Sequence, residues 1–224
     1  MSEQEISDIM VEAYKYQKVG DTSSAIASWQ KLITVSDCPK DIKSNALLNI
    51  GDLHFKEGST DLAIESIQKA LEINPNSSEA LYCLGYFAQE KEDFEKAINY
   101  LKKALEINPN DTGLLNNIGN CFDRLHNSKK AIFYYNQAIK LDNNYISAIY
   151  NRANVYLKMA EFDKSLKDLT QVIELDPTFY QAYFNRGTLY KRLGKDLLSK
   201  RDLEHSKRLA KKDIETKYDG KFGQ

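Results

Sequence analysis

Apolar positions along this chain recur in pairs of helical stripes separated by short polar breaks. In residues 78–111, Leu81, Leu84, Gly85 and Ala88 fall at three-to-four spacing, which predicts a first helix. The polar break Glu90-Lys-Glu-Asp93 follows, and then Ala97, Ile98, Leu101, Ala104 and Leu105 predict a second helix. Asn108-Pro109 ends it, because proline disfavours a helical residue before it and has no N–H to donate. Asn76 with Glu79 three residues on predicts a capping box opening the first helix. The unit is a helical hairpin, with about 12–14 residues in each helix.

This pattern returns at a fixed interval along the whole chain. Gly51, Gly85, Gly119, Ala153 and Gly187 stand in register, as do Ala63, Ala97, Ala131, Ser165 and Ser199, and also Pro75, Pro109 and Pro177. Lys69-Ala-Leu-Glu-Ile-Asn-Pro-Asn76 and Lys103-Ala-Leu-Glu-Ile-Asn-Pro-Asn110 are near copies. A single hairpin cannot bury both of its stripes, so a fixed period of about 34 residues marks stacked units. Small residues at the eighth and twentieth positions let the two helices of a hairpin cross closely. Gly20, Gly58 and Gly194 occupy the fifteenth position, where a left-handed residue suits glycine. Glu92, His126 and Ala160 stand there in the other units, so those turns are expected to differ slightly.

Taken together, these positions resemble the tetratricopeptide repeat. Its pattern sets a large residue, Leu-Gly, an aromatic, Ala, an aromatic or aliphatic residue, Ala and Pro. One unit here reads Leu47, Ile50-Gly51, His54, Ala63, Ile67, Ala70, Pro75, and another reads Leu115, Ile118-Gly119, Phe122, Ala131, Tyr135, Ala138, with Asn143 in place of Pro. The N-terminal unit fits more loosely, through Ile9, Ala13, Tyr16, Ala25, Trp29 and Leu32. The resemblance implies an all-α, right-handed superhelical solenoid of antiparallel helix pairs. Its six repeats span 6–43, 44–77, 78–111, 112–145, 146–179 and 180–213, between an N-terminal tail (1–5) and a C-terminal tail (217–224). The first step is longer than the others, which places about four extra residues in the loop around 36–43. In the last repeat Lys200, Ser206 and Lys207 stand where other units are apolar, the mark of a polar outer face on a terminal repeat. The last helix is therefore expected to act as a cap reaching about Thr216.

Composition narrows the function. Of the 224 residues 42% are hydrophobic, a globular share, and the 4 prolines fit a helical protein. The acidic, polar start Met-Ser-Glu-Gln-Glu lacks the basic and apolar regions of a secretory signal, and no long apolar run predicts a membrane span. Cys38, Cys83 and Cys121 are scattered without metal-ligand spacing. A cytoplasmic protein with no cofactor and no metal is expected. Neither a catalytic constellation nor a glycine-rich phosphate loop is present in the sequence, so the expectation is a binding protein and not an enzyme. His54 and Trp29 are read as packed core residues. The net charge of −1 hides an asymmetry: residues 1–111 carry 11 Lys and Arg against 19 Asp and Glu, while residues 112–224 carry 20 against 13.

In the tetratricopeptide family the concave groove is lined by first-helix positions 2, 5, 6, 9, 12 and 13. Here the second half is rich in amides at those positions, namely Asn117, Asn120, Asn151, Asn154 and Asn185. An amide carries two donors and an acceptor, so such a series can hold an extended backbone, or it can serve helix packing. Beside it stand Arg124, Lys158, Lys191 and Arg192, with Tyr150 and Phe184 at position 5. This array suits an extended, acidic segment of a partner protein. The expected function is a scaffold that binds another protein as a monomer, with no small-molecule substrate and no membrane.

Two alternatives stay open. The first is an adaptor for chaperone C-termini, whose carboxylate clamp would find Asn120 and Asn151 here but Asn116, Gln181 and Asn185 in place of its three cations. The second is a nucleic-acid-associated subunit acting through the basic half, although its cations lack interleaved aromatics.

Overall fold

The structure is a computed structural model that describes residues 2–219, with side chains through residue 215. Twelve α-helices and no strand occur among the described residues. They pair in sequence as six hairpins: α1 (Glu3–Val19) with α2 (Thr22–Thr34), α3 (Lys40–Lys56) with α4 (Thr60–Ile73), and α5 (Ser78–Glu90) with α6 (Phe94–Ile107). Then come α7 (Thr112–Arg124) with α8 (Ser128–Leu141), α9 (Ile146–Lys158) with α10 (Phe162–Leu175), and α11 (Tyr180–Arg192) with α12 (Asp196–Asp219). The all-α class and the six hairpins agree with the sequence. Backbone packing divides the chain into two units, between Pro109 and Asn110.

Within each unit the apolar stripes close on one another. In the first, Ala13, Ala25, Trp29 and Leu32 are fully buried with Ala46 and Ile50. Leu47, Ala63, Ile67, Ala80, Leu84 and Phe87 form the next cluster. In the second, Ile149, Ala153, Leu169, Val172 and Ala182 pack together. The eighth-position glycines mark the close crossings. A Cβ on Gly85 would lie 2.8 Å from Leu101 Cγ, and one on Gly119 would lie 2.5 Å from Tyr135 Cε1. Trp29 is core, as expected, with its ring edge-on to Tyr14 at 4.9 Å. His54 is packed within its hairpin, and its Nδ1 lies 4.0 Å from the Glu57 carboxylate, beyond hydrogen-bonding reach.

The turns inside the hairpins correct one expectation. Glu92, His126 and Ala160 have φ of 57°, 57° and 58°, and Gly20, Gly58 and Gly194 have 78°, 80° and 69°. All six turns are therefore left-handed, glycine or not. Each also carries the same six-to-one hydrogen bond: Asp21 N to Tyr16 O, Ser59 N to His54 O, Asp93 N to Ala88 O, Asn127 N to Phe122 O, Glu161 N to Tyr156 O and Lys195 N to Tyr190 O, at 2.8–3.0 Å. This is one Schellman turn used six times. Next to it, Asp21, Asp93 and Asn127 accept from the backbone N–H three residues on and so cap the second helix.

Five further expectations are corrected. Helix α1 begins at Glu3 and not after a five-residue tail, because Ser2 and Glu5 form a reciprocal capping box. The helix α5 is capped by Ser77, which accepts from Ala80 N; Asn76 instead donates its N–H to the Asn74 side chain in the preceding turn. The extra residues before the second repeat add a helical turn to α3, which starts at Lys40 behind Pro39, so only 36–39 is left as loop. Proline at a helix start lacks only an N–H that would have no helical partner. Helix α12 runs through Asp219, past Thr216, since no glycine or proline interrupts it before Gly220. The rest of the expected tail, Gly220–Gln224, lies outside the described residues. On α12, Lys200 and Lys207 are exposed, but Ser206 is buried and its hydroxyl donates to Tyr180 O at 2.9 Å.

Candidate functional site

The amide-bearing face of the second unit is built by α7, α9 and α11. Each of these helices turns one apolar side toward its hairpin partner, which leaves positions 5, 6, 9, 12 and 13 on a different side. Side chains at those positions meet across neighbouring first helices. Asn151 donates both amide hydrogens, to Asn116 Oδ1 at 3.0 Å and to Asn120 Oδ1 at 2.9 Å. Asn120 Oδ1 also accepts from the Tyr135 hydroxyl at 2.8 Å. One repeat later, Asn185 donates to Asn154 Oδ1 at 2.7 Å and to the Tyr150 hydroxyl at 3.0 Å.

The same chemistry, offset by one repeat, thus ties α9 to α7 and α11 to α9. The donors of Asn151 and Asn185 are used inside the chain, so they are not available to a bound backbone. Each Oδ1 remains to accept an N–H. Asn117 and Asn154 are half-buried beside these pairs.

The flanking groups divide into two kinds. Lys158 meets both carboxylate oxygens of Asp123, at 2.7 and 2.8 Å. Tyr150 packs edge-on against Phe179 at 4.9 Å. Arg124 and Phe184 are exposed, as are Lys191 and Arg192 near the end of α11. Phe184, Lys191 and Arg192 follow at helical spacing along α11, so an extended segment lying there would meet a ring first and then two cations.

Two buried ion pairs were not foreseen. Arg152 Nε and NH2 clamp the Asp168 carboxylate at 2.8 Å each, while NH1 reaches Asn136 Oδ1 at 2.6 Å. One repeat on, Arg186 clamps Asp202 at 2.6 and 3.2 Å and reaches Thr170 Oγ1 at 3.1 Å. Burial opposes the Arg152 charge, but Asp168 outweighs it and the guanidinium pKa is raised. The signal was present in the sequence: each arginine stands midway between a polar acceptor and an aspartate, as Asn136, Arg152, Asp168 and then Thr170, Arg186, Asp202. These pairs lock α9 to α10 and α11 to α12, and they remove two cations from the exposed basic surface.

The first unit holds a cleft of about 390 Å³ between α3, α4 and α5, lined by Leu48, Phe55, Tyr86, Phe87, Asp52 and Glu79 among others. Burial and the nearby Glu79 and Asp52 push the Cys83 thiol up to about 11. Among the described residues no group of His, Cys, Asp and Glu is arranged to hold a metal ion, and no helix is long and apolar enough to cross a membrane.

Comparison with known proteins converges on one repeat. Family models of the tetratricopeptide repeat match residues 44–77, 76–144, 146–179 and 169–199. Among curated proteins, the photosystem I assembly protein Ycf3 of Prochlorococcus marinus strains MIT 9303 and MIT 9313 is 27% identical over 93 residues, 38% of this chain and 53% of the relative. The match spans about half the length of those relatives. Among solved structures, MamA superposes with a TM-score of 0.68 at 26% identity, over 74% of this chain and 97% of its own. A tetratricopeptide repeat protein from Parabacteroides merdae ATCC 43184 superposes with a TM-score of 0.76 at 21% identity, over 96% of this chain and 88% of its own.

Proposed function

We propose, because this chain belongs to the tetratricopeptide repeat family, that it is a non-enzymatic scaffold holding an extended, acidic segment of a partner protein against α7, α9 and α11. One observation carries the reading. Amide side chains fix these three helices side by side, while Phe184, Lys191 and Arg192 stay exposed along one of them. A ring contributes area at low entropic cost, and the cations attract carboxylates and speed encounter. The remaining amide oxygens accept the backbone N–H groups of the segment. Its carboxylates face Lys191 and Arg192.

The curated relatives are assembly proteins, which supports a role in bringing proteins together and no particular cargo. The adaptor reading for chaperone C-termini finds amides where its clamp needs cations. A nucleic-acid role is weakened because Arg152, Lys158, Lys164 and Arg186 already face carboxylates within the chain. Work as a monomer fits the exposed Lys200 and Lys207 on α12.

The test is fluorescence anisotropy with labelled extended peptides bearing glutamates. Phe184→Ala with Lys191→Glu and Arg192→Glu should weaken binding at least about tenfold, with helicity unchanged. Equal binding by wild type and variant removes the reading.

A further inference from the structure

The cleft of the first unit has a chemistry opposite to that of the second-unit face. It opens between α3 and α5, and its floor is formed by Leu48, Gly51 and Ile67, all buried. Its aromatic members are Phe55, Tyr82, Tyr86 and Phe87, of which Phe55, Tyr82 and Tyr86 are 40%, 41% and 37% exposed. Phe55, Tyr86 and Phe87 form a mutual edge-to-face cluster, with centroids 5.2–6.0 Å apart. Three large rings left open to water at one place exceed what hairpin closure requires, because the apolar stripes of α3 and α5 are already buried on their other sides.

The charged groups of the cleft are Asp52 and Glu79, and among the described residues no Lys or Arg lines it. Asp52 shares its charge with Lys56 at 2.6 Å on the exposed side of α3. Glu79 has no ion-pair partner among the described residues. The surrounding residues 1–111 carry a net charge of −8. Ring faces concentrate negative electrostatic potential, and carboxylates beside them add to it, so such a site favours a cation whose stem is apolar. Burial, and after it the nearby Glu79 and Asp52, raises the Cys83 thiol pKa, so that group stays neutral in the cleft.

We infer that the Phe55–Tyr82–Tyr86 cleft binds a lysine or arginine side chain of a basic extended segment, its methylene stem against the rings and its charged head toward Asp52 and Glu79. This site is independent of the proposed acidic-segment face and needs neither its amides nor its cations. Together the two would let one chain hold segments of opposite charge, one on each unit.

The test uses the whole chain and labelled Gly-Ser peptides carrying lysines, arginines or glutamates, followed by anisotropy. Lysine and arginine peptides should bind at least about tenfold more tightly than the glutamate peptide to the Asn117→Ala/Phe184→Ala/Lys191→Gln/Arg192→Gln variant, in which the second-unit face has lost its ring and its cations without gaining carboxylates. In that background Asp52→Asn with Glu79→Gln should weaken the lysine peptide about tenfold. Phe55→Leu with Tyr86→Leu should weaken it comparably while the salt dependence stays the same, since no charge is lost. Glu72→Gln with Glu106→Gln removes as much charge away from the cleft and should leave affinity within about twofold. Equal binding of lysine and glutamate peptides, or equal loss from the cleft and remote charge variants, overturns the inference.

Discussion

Arg152 grips Asp168 with two parallel hydrogen bonds of 2.8 Å inside the fifth hairpin, and the same grip recurs one repeat later between Arg186 and Asp202. The third and fourth repeats fill these two positions without charge, with Leu84 and Tyr100 in one and Ile118 and Tyr134 in the other. A buried pair is costly to break because the surviving charge has no water. Asp168→Ala should therefore cost about 3–5 kcal/mol in urea denaturation. The double variant Arg152→Leu/Asp168→Tyr, which reproduces the third repeat, should recover most of that loss. A double variant as unstable as the single one would show that the pair is not exchangeable with the apolar solution.

The six hairpin turns share a left-handed residue, yet only three of them use glycine. A side chain in that conformation costs about 1–2 kcal/mol, partly offset by the extra chain entropy that glycine loses on folding. Ala160→Gly and Glu92→Gly should each raise stability by about 0.5–1 kcal/mol, and Gly58→Ala should lower it by about 1 kcal/mol. Thermal melts decide it, and a stabilising Gly58→Ala would contradict the shared turn.

The crossing at Gly119 has no room for a methyl group. A Cβ there would press on the Tyr135 ring, which is fully buried and tied by its hydroxyl to Asn120. Gly119→Ala should cost about 1–3 kcal/mol. It should also loosen the Asn120–Asn151 contact, visible as faster amide exchange in α9. Wild-type stability would mean that Tyr135 moves aside freely.

Burial pushes the Cys83 and Cys121 thiols from an ordinary value of 9.0 up to about 11 and about 12. The neutral thiol is the form the fold favours. Its contribution is complete below about pH 9 and is lost as pH rises toward the folded values. The denaturation midpoint should fall above pH 9, and Cys121→Ala should flatten that fall relative to wild type. An unchanged slope in Cys121→Ala would show that other groups set the alkaline limit.

Much of this architecture is legible in residue spacing. The small residues at positions 8 and 20 and the two apolar stripes specify where helices cross, since only close packing demands small side chains at a fixed period. What escapes is carried by polar residues. The capping box of Ser2 and Glu5 lies upstream of Ile6, the first apolar residue of the helix, where a search for stripes begins. Pro39 reads as loop because proline breaks helices, yet it also starts them. Glu92, His126 and Ala160 take a conformation that composition alone assigns to glycine. Their turns are held by backbone bonds, which side-chain identity does not report. Arg152 and Arg186 look like departures from an apolar position, and the aspartates on the second helix of each hairpin explain them.

The candidate face was legible as a set of residues and not as a set of bonds. Asn120, Asn151, Asn154 and Asn185 do converge, but largely on one another. The aromatic cleft of the first unit obeys the same rule, since Phe55, Tyr82 and Tyr86 stand at groove positions 12, 5 and 9, but no repeated amide marks it.

The central claim is that a partner segment lies along α11 beside α9, and photo-crosslinking from single positions tests it most directly. A benzophenone amino acid is placed in turn at Phe184, at Phe133 on α8 and at Asp37 in the 36–39 loop, all of them exposed. The glutamate-bearing peptide is then irradiated with each variant. The account predicts an adduct from position 184, suppressed by excess unlabelled peptide and by high salt, and none from 133 or 37. An adduct from 133 or 37 with none from 184 would contradict it and move the contact to another surface.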